Sequence, residues 1–468
     1  MEDWDGEMSS NELQGHVDRF EETLKNGEHA YFDVYVLENI IDFLIERNQH
    51  KKARAAIEIG HELHPNSTGL RIKEAMFYLH FGKLSKAAEL LKDLEQLVPN
   101  NEQVIIMIAQ LYSHRKDHRR SINYFLRAAN MLSEAEPELF IDLAMEYQNV
   151  KEYGNSIHYL KKVLKMSPRH ETALHEIAYC YDIMQDIEGA IAFMTKQIDK
   201  DPYNDLAWFL LASNYIKNIQ ISDALHALDY CTLINPKNSA AWYTKGHCHQ
   251  ELDETSAALQ CYLECLKFDL PQAEIHTVIG ECYEEMDLLS EAEDHYKKAL
   301  DLSPDYGEAF LGIGVIRDLQ GKIEDSLVFL EKAIKTDAEN PTYWHVYAEA
   351  LKKAELYTES EEAFQTRMEL DVLNEQMWAD FADLYWVMKN PQLALETIDK
   401  GLEFIPGDDL LLARKTVYLT VLAREPLATQ VFIEAYKQYG SSVSEEIKSY
   451  FPLLNRYPIL NELIDLHP

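Results

Sequence analysis

The stretch that decides the fold is Ala241–Pro271, which reads AWYTKGHCHQELDETSAALQCYLECLKFDLP. A second stretch, Ala207–Pro236, begins 34 residues earlier and reads AWFLLASNYIKNIQISDALHALDYCTLINP. In both, apolar and small residues recur at steps of three, four and seven, which lie on one face of a helix. The closing proline stops a helix and begins a turn. Each stretch therefore predicts a pair of helices.

The same register continues along most of the chain. One small residue recurs at steps of 34, apart from a single step of 35, at Ala53, Ala87, Ser121, Ser156, Ala190, Ala224, Ala258, Ala292, Ser326, Ser360, Ala394 and Ala428. A fixed period of this length is typical of helical-repeat arrays. We place the one additional residue in a loop around Glu134–Pro137.

A second set of positions follows the same period. Trp208, Trp242, Trp344 and Trp378 occupy one repeat position, and a small residue, Ala or Gly, follows four positions later. A small side chain lets a second helix approach closely, and large apolar residues fill the space between helices. The two sets together predict packed helix pairs.

These residues resemble the tetratricopeptide repeat, whose pattern is W-x2-L-G-x2-Y…A-x3-F…P over 34 residues. The resemblance covers twelve units, and the first and last match least well. It implies an all-α fold, a right-handed superhelical α-solenoid of about twelve tetratricopeptide-like helix pairs with N- and C-terminal capping helices. It also implies that the first helix of each pair lines a concave inner surface with its positions 2, 5, 9 and 12.

The repeat divides the chain into four segments. We predict a flexible acidic tail at 1–10, an N-terminal capping helix at 11–33, the twelve repeats at 34–442 and a C-terminal capping helix at 443–468. Repeat arrays need polar-faced caps at their ends, which favours this interpretation of the last segment. The alternative is a docking helix for a partner.

The net charge and the hydropathy of the chain exclude several classes of function. The chain has 80 acidic and 44 basic residues and a formal net charge of −36. Such a surface repels nucleic acid and anionic lipid, and it either attracts basic partners or only keeps the protein in solution. The first ten residues, MEDWDGEMSS, do not form a secretory signal, and no apolar run reaches the length of a membrane span. We therefore expect a cytoplasmic protein with no direct nucleic-acid binding and no membrane insertion.

The best metal candidate in the sequence is His247-Cys248-His249, with Cys261 and Cys265 nearby. Adjacent residues on a helix point about 100° apart, so the two histidines diverge. Cys180, Cys248 and Cys282 share one repeat position, which favours packing over metal binding. We expect no metal, no cofactor and no enzymatic activity.

The inward-facing repeat positions define two candidate surfaces. The first is an apolar partner-binding groove formed by Ile72, Met76, Ile106, Ile141, Met145, Tyr179, Phe209 and Tyr243. The second is an acidic patch formed by Glu274, Glu281, Glu284 and Glu285. Exposed apolar strips mark partner surfaces, and Met and aromatic residues suit adaptable binding. Alternatively, these side chains pack on each other across a closed groove.

We interpret the protein as a scaffold or adaptor that binds an extended or helical protein segment in its concave groove. The alternative is an acidic chaperone-like protein that shields a basic client. Both hypotheses give a protein or peptide as the partner, and a homo-oligomer is compatible with either.

Overall fold

The computed structural model describes residues 10–26, 30–132, 136–268, 272–451 and 456–466. These residues form 27 α-helices, and no strand occurs among them. The acidic tail, apart from Ser10, and most of the loop predicted to hold the additional residue lie outside the described residues. The chain divides into two compact units, Met1–Ile234 and Asn235–Pro468.

Unit 1 begins with a single helix and continues with six helix pairs. The helices are α1 Ser10–Asn26, α2 Val34–Glu46, α3 His50–Leu63, α4 Thr68–His80, α5 Leu84–Leu97, α6 Glu102–His114, α7 His118–Met131, α8 Pro137–Asn149, α9 Tyr153–Met166, α10 Glu171–Ile183, α11 Ile187–Lys200, α12 Asp205–Lys217 and α13 Ile221–Ile234. Each pair packs against the next along the chain. α1 packs on the first pair through Val17 and Phe20, both buried.

Unit 2 contains six further pairs and ends in two short helices. The helices are α14 Ser239–Gln250, α15 Thr255–Cys265, α16 Gln272–Glu285, α17 Leu289–Leu302, α18 Gly307–Leu319, α19 Ile323–Thr336, α20 Pro341–Lys353, α21 Tyr357–Leu370, α22 Glu375–Val387, α23 Pro391–Phe404, α24 Asp409–Val421, α25 Glu425–Tyr439, α26 Ser442–Tyr450 and α27 Pro458–Leu466. The repeated helix pairs confirm the predicted all-α architecture.

The C-terminal segment differs from the single capping helix that the sequence predicts. It forms α26 and α27, and α26 packs on α24 and α25. Val443 and Ile447 of α26 and Leu460 and Ile464 of α27 are buried in the same core. Pro458 is the first residue of α27, a position where a proline is tolerated because its missing amide would have no partner within the helix.

The turn inside each pair has one backbone conformation. The residue at repeat position 15 has a positive φ in all twelve pairs, at Asn48, Gly82, Lys116, Lys151, Gln185, Ile219, Asp253, Asp287, Gly321, Glu355, Lys389 and Ala423. In the sixth pair, the Gln220 amide donates to the Tyr215 carbonyl at 2.9 Å, which closes the end of α12. A single left-handed residue followed by this hydrogen bond is a standard helix C-terminus. It reverses the chain within a few residues.

The repeated tryptophans fix the approach to each pair. The indole N–H donates to the carbonyl six residues earlier, at 2.9 Å from Trp208, Trp242 and Trp344 and at 3.0 Å from Trp378. The small residues permit close packing: a Cβ added to Gly312 would lie 2.3 Å from Cζ of Tyr296. The repeated tryptophans therefore account for the turn before each pair, and the repeated small residues account for the close packing of the helices.

Candidate functional site

In unit 1, the first helices of three successive pairs share one face. We call the surface of α4, α6 and α8 on that side the first-helix face. It contains a cavity of about 540 Å³, lined by Met76, Leu79, His80, Gln110, Ser113, His114, Phe125, Asp142, Met145, Glu146 and Asn149. A volume of this size accommodates one or two side chains of a partner or a small molecule.

Two carboxylates on α8 give the cavity its charge. Glu146 is 4% exposed; it accepts a hydrogen bond from Ser113 Oγ at 2.6 Å, and its other oxygen lies 2.9 Å from Nδ1 of His118. Burial raises the pKa of Asp142, and the nearby Glu146 and Glu138 raise it further, whereas a hydrogen bond with Gln110 lowers it. Among the described residues, no Lys or Arg forms an ion pair with Asp142. The cavity therefore combines a methionine-rich wall with a carboxylate that lacks a cationic partner.

The sequence does not predict these carboxylates, because neither occupies one of the four inward-facing positions. A signal is nevertheless present: Glu146 is the only charged residue among the twelve at its repeat position, where the neighbouring pairs hold Leu111 and Cys180. A charged residue at a packing position indicates a local polar requirement.

The predicted groove residues of unit 1 are not equivalent in the structure. Met76 and Met145 both line the cavity. Met145 and Tyr179 are 39% and 47% exposed. Four members are partly buried: Met76, Ile106, Ile141 and Phe209.

One predicted groove residue is a core residue. Ile72 is buried and packs in a cluster with Ala75, Leu91 and Leu94. Ile72 is therefore not exposed on the first-helix face, and its role as a contact residue stays a prediction.

In unit 2, the acidic patch forms a hydrogen-bonded row with tyrosines. Tyr243, the remaining predicted groove residue, donates to Glu274 at 2.6 Å, and Tyr296 donates to Glu284 at 3.0 Å. Tyr243 thus belongs to the acidic surface of unit 2. A third hydroxyl, that of Thr255, donates to Glu285 at 2.8 Å.

Glu281 has the most perturbed carboxyl group of the patch. Packing of protein atoms around the carboxyl group raises its pKa to about 7, and the charges of Glu284, Glu285 and Glu308 add to the shift. Part of the side chain remains accessible to solvent. A cation bound beside Glu281 would favour its ionised form.

The histidine–cysteine motif packs as a structural element of α14. The His247 ring lies 4.5 Å from the Tyr243 ring, and His249 Nδ1 lies 2.7 Å from Glu254. Cys248, Cys261 and Cys265 are buried. Across the described ranges, no three His, Cys, Asp or Glu side chains are grouped to hold a metal ion. In the same ranges, the helices are too short or too polar to cross a bilayer.

Comparison with known proteins places the repeats in a family. A sequence model of the tetratricopeptide repeat matches residues 137–170, 239–270 and 273–306. The BBSome complex member BBS4 homolog of Drosophila melanogaster is 21% identical over 157 residues, which is 34% of this chain and 32% of that protein. The signal recognition particle subunit SRP72 of Homo sapiens is 24% identical over 148 residues, 30% of this chain and 22% of its own length. The matches thus span about a third and about a fifth of these relatives.

Two solved structures align with this chain at low TM-scores. The Cut9–Hcn1 hetero-tetramer of APC/C aligns with 87% of this chain and 93% of its own, at a TM-score of 0.44 and 12% identity. YrrB, described as a TPR protein with an unusual peptide-binding site, aligns with 40% of this chain and 96% of its own, at a TM-score of 0.35 and 19% identity.

The matched segments coincide with helix pairs of the structure. Residues 137–170 contain α8 and α9, and residues 239–270 and 273–306 contain the pairs α14–α15 and α16–α17. The other pairs keep the same spacing and the same turn. The chain therefore contains repeats of the tetratricopeptide type, which the family model matches at three of the helix pairs.

Proposed function

We propose that this protein is a non-enzymatic scaffold or adaptor and that the first-helix face of unit 1 binds an extended or helical segment of another protein. The cavity between α4, α6 and α8 is the observation that carries the proposal. It brings Met76 and Met145 to one opening, together with the carboxylates of Asp142 and Glu146. Such a combination of flexible apolar side chains and a few polar groups suits binding of a protein side chain.

The charge of the cavity favours a basic segment. A lysine or arginine of the partner would place its methylene stem against the methionines and its charge beside Asp142. Asp142 would then ionise fully, because an adjacent cation lowers the pKa of a carboxyl group. The same segment could not carry an acidic residue at this point without like-charge repulsion against Asp142.

A display selection tests the proposal without knowledge of the partner. A library of random linear peptides is selected on the wild-type protein, and the enriched peptides are titrated against Met145→Asp and Asp142→Asn. We expect enrichment of Lys or Arg flanked by apolar residues. We also expect each variant to bind the selected peptides at least about tenfold more weakly, a loss of about 1.4 kcal/mol.

Met131→Asp is the matched control. Met131 lies on the second helix α7 and is 38% exposed, against 39% for Met145, so both changes add one charge at an equally accessible methionine. Peptides that bind Met145→Asp as tightly as wild type would contradict a binding site on the first-helix face.

A second candidate function rests on the charge. The net charge of −36 and the acidic patch of unit 2 favour an acidic chaperone-like protein that shields a basic client. Long-range attraction of this kind weakens steeply with salt, since the Debye length falls from about 10 Å at 0.1 M salt to about 3 Å at 1 M. Peptide binding that falls with salt equally in wild type and Asp142→Asn would favour the chaperone-like function.

The relatives are consistent with a role in assemblies, because one is named as a complex member and the other as a particle subunit. We extend this role to the present chain only as part of the proposal, and we place the protein in the cytoplasm on the same basis. Its fold is one that generally carries no catalytic centre.

A further inference from the structure

We propose that unit 1 holds a second, unrelated binding site, a pocket between the second helices α9 and α11 that binds a phosphate monoester. The pocket has a volume of about 450 Å³ and is lined by Lys161, Leu164, Lys165, Pro168, Phe193, Lys196, Gln197, Lys200, Asp201 and Asn204. It shares no residue with the cavity of the first-helix face. The inference is therefore independent of the proposed function.

Four lysines converge on the pocket in a strongly acidic chain. Lys161 and Lys165 are spaced i,i+4 on α9, and Lys196 and Lys200 are spaced i,i+4 on α11. Like charges at this spacing destabilise a helix, so two facing pairs of lysines are an unfavourable arrangement for the empty pocket. Lysine is a common ligand for phosphate in proteins.

The carboxylate in the pocket does not neutralise these lysines. Asp201 is bound by Arg169, through Nε at 2.5 Å and Nη2 at 2.9 Å. The hydrogen bonds from Arg169 also lower the pKa of Asp201. Within the described ranges, Lys165, Lys196 and Lys200 form no ion pair. The lining keeps an excess of positive charge.

A buried amide supplies a second, independent observation. Gln197 is 9% exposed and lines the pocket, at a repeat position that holds Ala128, Ala299 and Ala333 in other pairs. Its side chain makes no hydrogen bond to another described residue. The amide faces the pocket, where a phosphate oxygen would accept a hydrogen bond from it.

The apolar part of the pocket selects an ester over free phosphate. Leu164 and Phe193 are each 7% exposed and lie beside the lysines, and Lys161 Nζ is 4.9 Å from the centre of the Phe193 ring. A phosphate monoester offers close to two negative charges and three acceptor oxygens to the lysines and Gln197. Its organic group would cover the phenylalanine. A simple carboxylate offers half the charge.

Calorimetric titration with phenyl phosphate and with inorganic phosphate tests the proposal. We expect one saturable site, with phenyl phosphate bound about tenfold more tightly than inorganic phosphate because its ring contacts Phe193. The variant Lys165→Ala/Lys200→Ala should weaken phenyl phosphate binding at least about tenfold. Gln197→Ala should weaken it several-fold while helicity is retained, since alanine is normal at this repeat position.

The matched control is Lys332→Ala/Lys335→Ala in unit 2. These lysines line a groove with Asp305, Phe310 and Thr336, and the same two charges are removed, but the position of Gln197 holds Ala333 in this pair. We expect phenyl phosphate binding to stay within about twofold of wild type. Three results would each overturn the proposal: no saturation by either probe at millimolar concentration, equal losses in the two double variants, or equal affinity for the two probes.

Discussion

The turn of the sixth helix pair carries a backbone strain that a single substitution should remove. Ile219 has a φ of +58° and is 87% exposed. The left-handed conformation costs a non-glycine residue about 1–2 kcal/mol, and a β-branched side chain is among the least tolerant. Glycine removes this cost but adds about 0.5–1 kcal/mol of backbone entropy on folding. Because the side chain buries almost nothing, Ile219→Gly should stabilise unit 1 by about 0.5–1 kcal/mol.

The reverse substitution, glycine to isoleucine, can be made at an equivalent turn of the same unit. Gly82 occupies the equivalent turn with a φ of +68°, and a Cβ added there would meet no atom within 4 Å. Gly82→Ile should therefore destabilise by a similar amount through the backbone alone.

Urea denaturation followed by circular dichroism gives the midpoints for both variants. Hydrogen exchange then locates the change, because the amides of Ile219 and Gln220 donate to Ile216 and Tyr215 at 2.9 Å and should exchange more slowly in Ile219→Gly. A midpoint unchanged or lowered in Ile219→Gly, together with a neutral Gly82→Ile, would refute the strain argument.

Two further predictions concern unit 2. Ser326 and Ser360 are both fully buried at one repeat position, but Ser360 Oγ donates to the Ala348 carbonyl at 2.8 Å whereas Ser326 Oγ has no partner among the described residues. Urea midpoints should show Ser326→Ala stabilised and Ser360→Ala destabilised, each by about 1 kcal/mol; shifts of the same sign would contradict this. The raised pKa of Glu281, about 7 against an ordinary 4.5, means that folding favours its protonated form, so stability is lost as pH rises between these values. The free energy of unfolding of Glu281→Gln should equal that of wild type near pH 4.5. At about pH 8 it should be higher than that of wild type by about 1 kcal/mol, after allowance for solvent screening. The exposed Glu291→Gln is the control, and an equal gain there would count against a specific effect at Glu281.

Repeated features were predictable from the sequence because every pair needs them. The Trp208 and Trp242 positions, the small residues and the 34-residue period follow from packing that is the same in each pair, and they gave the architecture. Departures from the repeat were harder to read. Ile72 has the position of a surface residue, yet its burial depends on how α5 lies against α4, which the period does not specify.

The cavity residues that the sequence analysis did not predict are mostly polar residues at packing positions of the repeat. Glu146 and Gln197 stand at positions that are apolar or small in most other pairs, and each lines a cavity in the structure. An averaged repeat pattern hides such replacements, because it describes what most pairs share. Comparison of each residue with the eleven equivalents in this chain would have singled out both.

The packing of each pair against its neighbours along the chain has a mechanical consequence. A pulling force on the two ends of a unit meets a series of similar interfaces between neighbouring helix pairs. The array should therefore lengthen stepwise, one pair at a time, and each released pair of 34 residues adds about 115 Å of contour length. Partners bound to separate pairs would be joined by an extensible linker, which lengthens under force and shortens when the force is released.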